Sequence, residues 1–569
     1  MRIDGGTGID TIQLSAGASL DLSATTTLSR VSSMEVIDLK TDTAANQLTL
    51  NLQDVLGMAG MNLINSSTKA GLGWTGGTYT FGATESRHQL IINGDGLDAV
   101  TLTGGFLDTG LTAIMNGHTY EVYNQGSTAQ VLIEQAIART VPVAALSLAT
   151  IAAGTGGFVI NGAAANDQSG ISVSNIGDVN GDGLADLIVG ALLSDPATSS
   201  DAGRSYVVTT TAVNLSAVVA GTGGYVINGE AALNFSGMSV SAAGDVNGDG
   251  LADMLVGAFG ASSAAGATGR SYLVYGKANT AAVSLVNVAA GVGGFVMDWN
   301  VVNDGNGASV SSAGDVNGDG LADLIVSAPW ANSTAGKSFV VFGKTDSSAV
   351  NLNNVDAGTG GCVINGAAAS NYSGISVSSA GDVNGDGLAD LIVGAEGAFS
   401  NTGASYVVFG KANTGAVSLA NVAAGGGGGF AINGETPSDL SGLPVSNAGD
   451  VNGDGLADLI VGGQYANGNF SKSYVVFGKA SATAIDLSNV AAGSGGFVIN
   501  SVAASDLSGA AVSSAGDVNG DGLADLLVGA VGVNGFAGSS YVVYGKTNTT
   551  AVNLSDVTAG VGGFAITGT

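Results

Sequence analysis

From about residue 145 onward, short apolar runs alternate with stretches rich in Gly, Asn, Ser and Asp. The fourth of these units shows the pattern best. Ile375-Ser-Val-Ser378 alternates apolar and polar residues, as a half-buried strand does. Leu391-Ile-Val393 is continuously apolar, as a strand buried on both faces is. Ser405-Tyr-Val-Val-Phe-Gly410 and Gly429-Phe-Ala-Ile-Asn-Gly434 follow, each bounded by turn residues. Four strands per unit, repeated along the chain, predict an all-β fold. A lone unit leaves an apolar face uncovered, and stacked units cover it. The arrangement this favours is a β-propeller of four-stranded blades. An open solenoid gives the same sequence signal.

The period is marked by one phrase, D-V-N-G-D-G-L-A-D. Its six copies begin at Asp178, Asp245, Asp315, Asp382, Asp450 and Asp517. In the first copy Asp178, Asn180 and Asp182 stand at positions one, three and five. Gly183 at position six marks a sharp turn, Leu184 at seven offers its carbonyl, and Asp186 at nine closes the set. The set recurs as Asp245, Asn247, Asp249, Leu251 and Asp253, and as Asp315, Asn317, Asp319, Leu321 and Asp323. It recurs again as Asp382, Asn384, Asp386, Leu388 and Asp390, as Asp450, Asn452, Asp454, Leu456 and Asp458, and as Asp517, Asn519, Asp521, Leu523 and Asp525.

Oxygen donors at alternate positions suit a hard cation, and a flexible set of five or six suits Ca²⁺ better than Mg²⁺. No His or Cys stands in any loop, which disfavours zinc and copper. Three carboxylates roughly 5 Å apart repel by about 3 kcal/mol per pair at an effective dielectric near 20, which a bound cation relieves. About six Ca²⁺ ions per chain are therefore expected. The loop is not an EF-hand, since position twelve is Val189, Val256, Val326, Val393, Val461 or Val528 and not Glu. A plain turn is the competing reading, because N-G and D-G pairs are ordinary turn signals.

These units resemble the FG-GAP repeat of integrin α-subunit propellers and their bacterial relatives. The match lies in Gly170-Ile-Ser-Val-Ser, the phrase Gly177–Asp186, and Leu187-Ile-Val-Gly-Ala191, recurring in register; Ser327-Ala328-Pro329 gives the "GAP" end in part. The resemblance implies a calcium loop between the first two strands of each blade. It also implies that an N-terminal segment supplies the outer strand of the final blade. The fourth-strand motif occurs seven times, starting at Gly157, Gly224, Gly294, Gly361, Gly429, Gly496 and Gly563, against six copies of the other three. That mismatch favours seven blades in the intact protein, with six blades and one unpartnered strand as the alternative.

Residues 1–140 lack the repeat and form a separate all-β domain, joined to the array (145–569) by Val141-Pro-Val-Ala-Ala-Leu. Gly5-Gly-Thr-Gly-Ile-Asp-Thr-Ile12 fits the calcium-binding nonapeptide of RTX rolls once. The rest of this domain resembles β modules of large bacterial RTX-type surface proteins. Asp95 and Asp98 read as turn residues before cation ligands.

The chain carries 45 acidic and 15 basic residues, a net −30, and six Ca²⁺ would bring this to about −18. Such a surface repels nucleic acid and anionic lipid. No apolar run is long enough to span a bilayer, and no leader-like apolar segment follows Met1. The single cysteine, Cys362, stands where other copies carry Phe or Tyr and reads as a small buried apolar group. His88 and His118 read as structural, so no enzyme activity is expected. Trp299, Trp330, Tyr372 and Tyr465 vary between units and read as rim packing first, with sugar or partner contacts second.

The function expected is an extracellular calcium-binding propeller, secreted or displayed at a bacterial cell surface. It would act as a binding or adhesion module for a protein or glycan ligand. The alternatives are a non-catalytic accessory domain of an extracellular hydrolase and a self-assembling subunit of a matrix or filament.

Overall fold

The computed structural model describes residues 146–568 except 155, 197–198, 210–213, 264–265, 300 and 464–470. Before these it describes shorter stretches, chiefly 9–14, 17–22, 45–50, 87–102, 106–125 and 129–140. Residues 5–8 of the nonapeptide and Tyr465 lie outside the described residues.

In the N-terminal region, Ser19–Asp21, Gln47–Leu50, Ala99–Leu102 and Ala138–Thr140 pair side by side in parallel. A second sheet pairs Thr11–Gln13, Val36–Asp38, His88–Asn93 and Ala129–Glu134 in parallel, then continues antiparallel. Ile37, Leu48, Leu50, Leu90, Ile92 and Leu102 share its core. Asp98 is buried and accepts from the backbone N–H and side-chain amide of Asn46, so it brackets a turn. His88 Nδ1 lies 2.8 Å from the carbonyl of Ala59, and His118 Nδ1 lies 2.6 Å from Glu134 Oε1.

The array is a β-propeller with six blades of repeats. Each blade is an antiparallel sheet of four strands in chain order. The first blade runs Ser169–Gly177, Asp186–Ala191, Arg204–Val208 and Gly224–Asn228. The last runs Ser508–Gly516, Asp525–Ala530, Ser539–Val543 and Gly563–Thr567. The second and third strands are buried almost throughout, in keeping with their unbroken apolar runs. First strands of successive blades pack on one another. A serine hydroxyl of one blade accepts the N–H of a valine in the next, as Ser172 does from Val240 at 3.0 Å. The glycine opening each fourth strand is required by shape. At Gly294, with φ +146°, a Cβ would lie 2.0 Å from the carbonyl oxygen of Leu273.

Two features of each blade escape the strand pattern. A five-residue helix precedes the fourth strand, as Leu285–Ala289 does, and buries Leu285 and Val288 one turn apart. The two residues before that helix add a parallel fifth strand to the preceding blade, so Val283–Ser284 pairs with Ile227–Asn228. For the sixth blade this fifth strand is Leu146–Ser147, paired with Ile566–Thr567. The first copy of the fourth-strand motif, from Gly157, does not form the strand expected of it. It makes one bridge, Asn161 with Asn214, and Phe158 is 49% exposed. Among the described residues no third strand lies beside it to pair with.

Candidate metal centre

Each acidic phrase links the first strand to the second, with position nine as the first residue of the second strand. The glycine at position six has φ between +84° and +90° in all six copies, a conformation that favours glycine. The loop curls around its first aspartate. In the second blade Asp245 Oδ1 accepts from Gly248 N at 2.7 Å and Asp249 N at 3.1 Å, and Oδ2 accepts from Gly250 N at 2.8 Å. In the first blade such amide bonds, that from Gly183 foremost, hold the Asp178 carboxyl below the usual carboxylate range. Asn247 Oδ1 accepts from Asp249 N, and Asp249 Oδ1 from Leu251 N. The fourth and fifth blades repeat this lattice at nearly the same distances.

Position nine behaves differently. Asp253, Asp323, Asp390 and Asp458 are fully buried. Each reaches two backbone amides. Asp390 Oδ2 accepts from Val383 N at 2.9 Å, and Oδ1 from Gly410 N at 2.8 Å. The residue thus buckles the start of the loop to the end of the third strand. Burial pushes the carboxyl of Asp253 up to about 7, against these two amide bonds; the like charges of Asp249 and Asp245 push it further. Asp323, Asp390 and Asp458 are pushed up to about 7 by the same causes. In the first blade Asp186 is pushed up to about 6, chiefly by burial, and its Oδ1 has no partner among the described residues.

The sequence-predicted residues are therefore brought together, with positions one, five and nine close enough to feel each other's charge. Asn317 Nδ2 lies 3.0 Å from Asp319 Oδ2 and 3.5 Å from Asp323 Oδ1, so position three belongs to the same group. Among the described residues no lysine or arginine forms an ion pair with a loop carboxylate. Nor do three acidic, His or Cys side chains converge as tightly as in a closed metal centre. Position one is turned to its own amides and position nine is engaged within the blade. The donors are all oxygen, exposed at position five and half-buried at position one in the first five loops, and paired with no lysine or arginine among the described residues; this set fits a hard divalent cation better than any transition metal.

The loop also touches the neighbouring blade, which the spacing of ligands does not reveal. Ala252 N donates to the carbonyl of Asp178, and the same bond joins Ala322 to Asp245, Ala389 to Asp315, Ala457 to Asp382 and Ala524 to Asp450.

Six segments of the chain, 169–208, 236–274, 306–349, 373–419, 445–476 and 508–543, match the model of the FG-GAP repeat. The chain carries six FG-GAP repeats. Each matched segment covers the acidic loop and most or all of its three inner strands. No curated protein matches the chain. The FG-GAP blades also account for the aromatic positions. Trp299 is buried, edge-on to Phe339 at 4.9 Å, and its N–H donates to Asn353. Trp330 meets Phe259 edge-on at 6.2 Å. Cys362 is buried on the fourth strand of the third blade, at the site other blades fill with a ring. Among the described residues no helix is long and apolar enough to cross a membrane.

Proposed function

We propose that the six FG-GAP loops bind Ca²⁺ and that the propeller they brace is a binding or adhesion module working outside the cell, as part of a bacterial surface or secreted protein. The observation that carries this reading is the loop itself, with position five exposed in the first five copies, position one half-buried in those copies, position nine within reach of their charge, and no lysine or arginine paired with them among the described residues. Asp178, Asn180, Asp182, the Leu184 carbonyl and Asp186, with their equivalents in the other five copies, would hold the ion. It would supply positive charge beside the carboxylates at positions one, five and nine.

The binding role is supported by the opposite end of each blade. Turns between second and third strands differ in every repeat and carry exposed aromatics, among them Phe399 and Phe536. Variable loops on a repeated frame make a recognition surface for a protein or glycan. In this reading the chain performs no catalysis. Melting in millimolar calcium and in EDTA tests the ion. EDTA is expected to lower Tm by many degrees, and an unchanged melt contradicts the reading. Phe399→Ser with Phe536→Ser tests the surface, and unchanged adhesion to a glycan or cell panel contradicts it.

A further inference from the structure

The third strand of a blade opens either on a cation or on a small residue. In three blades the cation meets an acid of the chain itself. In the second blade Arg270 pairs with Glu230 at 2.7 Å and with Asp298 at 3.2 Å, and the Tyr272 hydroxyl donates to the same Glu230 oxygen at 2.5 Å. In the fifth blade Lys472 pairs with Glu435 at 2.6 Å, and Tyr474 donates to that oxygen too. In the third blade Lys337 pairs with Asp356 at 2.7 Å. The fourth and sixth blades carry Ala404 and Ser539 at this place.

The first blade has the cation without the acid. Arg204 opens its third strand. Ala163 stands two residues past Asn161, where Glu230 stands two past Asn228 and Glu435 two past Asn433. Asn228 replaces Asp298 as the cross-strand partner, and Val219 replaces Asp356 at the end of the short helix. Arg204 keeps one bond, from Nε to Asn228 Oδ1 at 3.0 Å, and no ion pair among the described residues. Tyr206, the counterpart of Tyr272, is fully buried, and its hydroxyl has no partner among the described residues. Every one of these positions lies within residues 161–228, so the missing acid is set by the residues of this blade.

A cavity of about 380 Å³ lies beside Arg204, lined also by Ala163, Asp167, Ser194, Asp195 and Ser216. Asp167 is 8% exposed, and its carboxylate forms no hydrogen bond or ion pair among the described residues. Ser194 is fully buried, and its Oγ has no partner among them either. Buried charges and hydroxyls without partners are costly, and a ligand that supplies the partners recovers that cost. A simple anion would satisfy Arg204 and meet two carboxylates. A simple amine would satisfy the carboxylates and leave Arg204 unpaired. We infer that this cavity binds a small zwitterion of amino-acid type, its carboxylate on Arg204, where the second and fifth blades set their own glutamate, and its ammonium group on Asp167 and Asp195. The volume is at the small end of ligand cavities and suits one amino acid better than a chain. A ligand with no net charge also suits a protein of net charge −30, which repels anions. The site depends neither on the calcium loops nor on Phe399 and Phe536.

Calorimetric titration of the full chain with a panel of α-amino acids tests the site. Saturable one-to-one binding of at least one of them is expected. Arg204→Gln and Asp167→Asn should each weaken it ~10-fold or more while the circular dichroism spectrum stays unchanged. The matching α-hydroxy acid, which lacks the ammonium group, and the matching amino-acid amide, which lacks the carboxylate, should each bind ~10-fold or more weakly. Ala163→Glu installs the acid of the second and fifth blades, and it should raise Tm and abolish binding. Titrations are run in calcium and in EDTA, so that failure of the ion reading is not mistaken for failure of this one. No binding of any amino acid at millimolar concentration in either buffer overturns the proposal. So does binding that is indifferent to Arg204→Gln or to Ala163→Glu, or a hydroxy acid that binds as tightly as its amino acid.

Discussion

The backbone N–H of Ala252 donates to the carbonyl oxygen of Asp178 at 3.0 Å, tying position eight of one acidic loop to position one of the loop before it. The contact recurs at four further blade junctions. A cation that stiffens the Asp178 loop therefore also steadies the seam between the first two blades. Stability in an array of this kind is a sum of unit and junction terms, so an ion at a junction acts on both.

Hydrogen exchange checks this coupling. On calcium removal the amides of Ala252, Ala322, Ala389, Ala457 and Ala524 should lose protection before those of the second strands, such as Ile392. Equal protection of these alanines with and without calcium would show that the loops and junctions are independent.

Two aspartates of one loop should separate structure from ion binding. Asp390→Ala strands two amides, Val383 N and Gly410 N, at a buried site. Two lost acceptors of this kind cost about 2–4 kcal/mol, with or without calcium. Asp386 is exposed and accepts only local loop bonds. Asp386→Ala should therefore destabilise the protein in calcium and change little in EDTA. Denaturation midpoints in the two buffers read both, and similar losses from Asp386→Ala in each buffer would count against its role as a ligand.

Cys362 breaks a pattern of cation and ring. Lys277 Nζ lies 3.6 Å from the ring centre of Tyr225, and Lys344, Lys479 and Lys546 sit 4.0–4.3 Å over Phe295, Phe430 and Phe497. At Cys362 the lysine is Lys411, and a narrow gap bordered by Val316, Leu391 and Phe409 stands where a ring would be. Cys362→Phe should raise stability by about 1 kcal/mol through added burial and a cation–ring contact. A lower Tm would mean that the third blade has closed over the smaller side chain.

Strands and loops were legible because their signals are local. Leu391-Ile-Val393 has no polar position, and the observed strand Asp390–Ala395 is buried throughout. The glycines of the phrase predict positive φ, and Gly183 and its equivalents have it. The short helices passed unread since five residues are too few for a helical period. The signal available was a capping residue before a Leu-x-x-Val pair, as Asn214 precedes Leu215 and Val218 and accepts from Ser216 N. Trp299 reads first as rim packing between blades, and it is buried edge-on to Phe339, a partner that its own segment does not reveal. The spacing of oxygens reads position nine as a ligand and does not reveal it as the buckle to Gly410, because that partner lies just past the third strand, Ala404–Val408, far along the chain. The failure of the Gly157 copy to form a strand has the same origin. Its sequence matches the other copies, and among the described residues no third strand lies beside it.

The claim on which the account rests is that these loops hold calcium. Equilibrium titration of the metal-stripped chain, with bound ions counted per chain, tests it most directly. About six Ca²⁺ ions should bind, and Asp382→Ala combined with Asp386→Ala should remove about one of them. A chain that binds no calcium at millimolar concentration, or a double variant that keeps the full number, would contradict it.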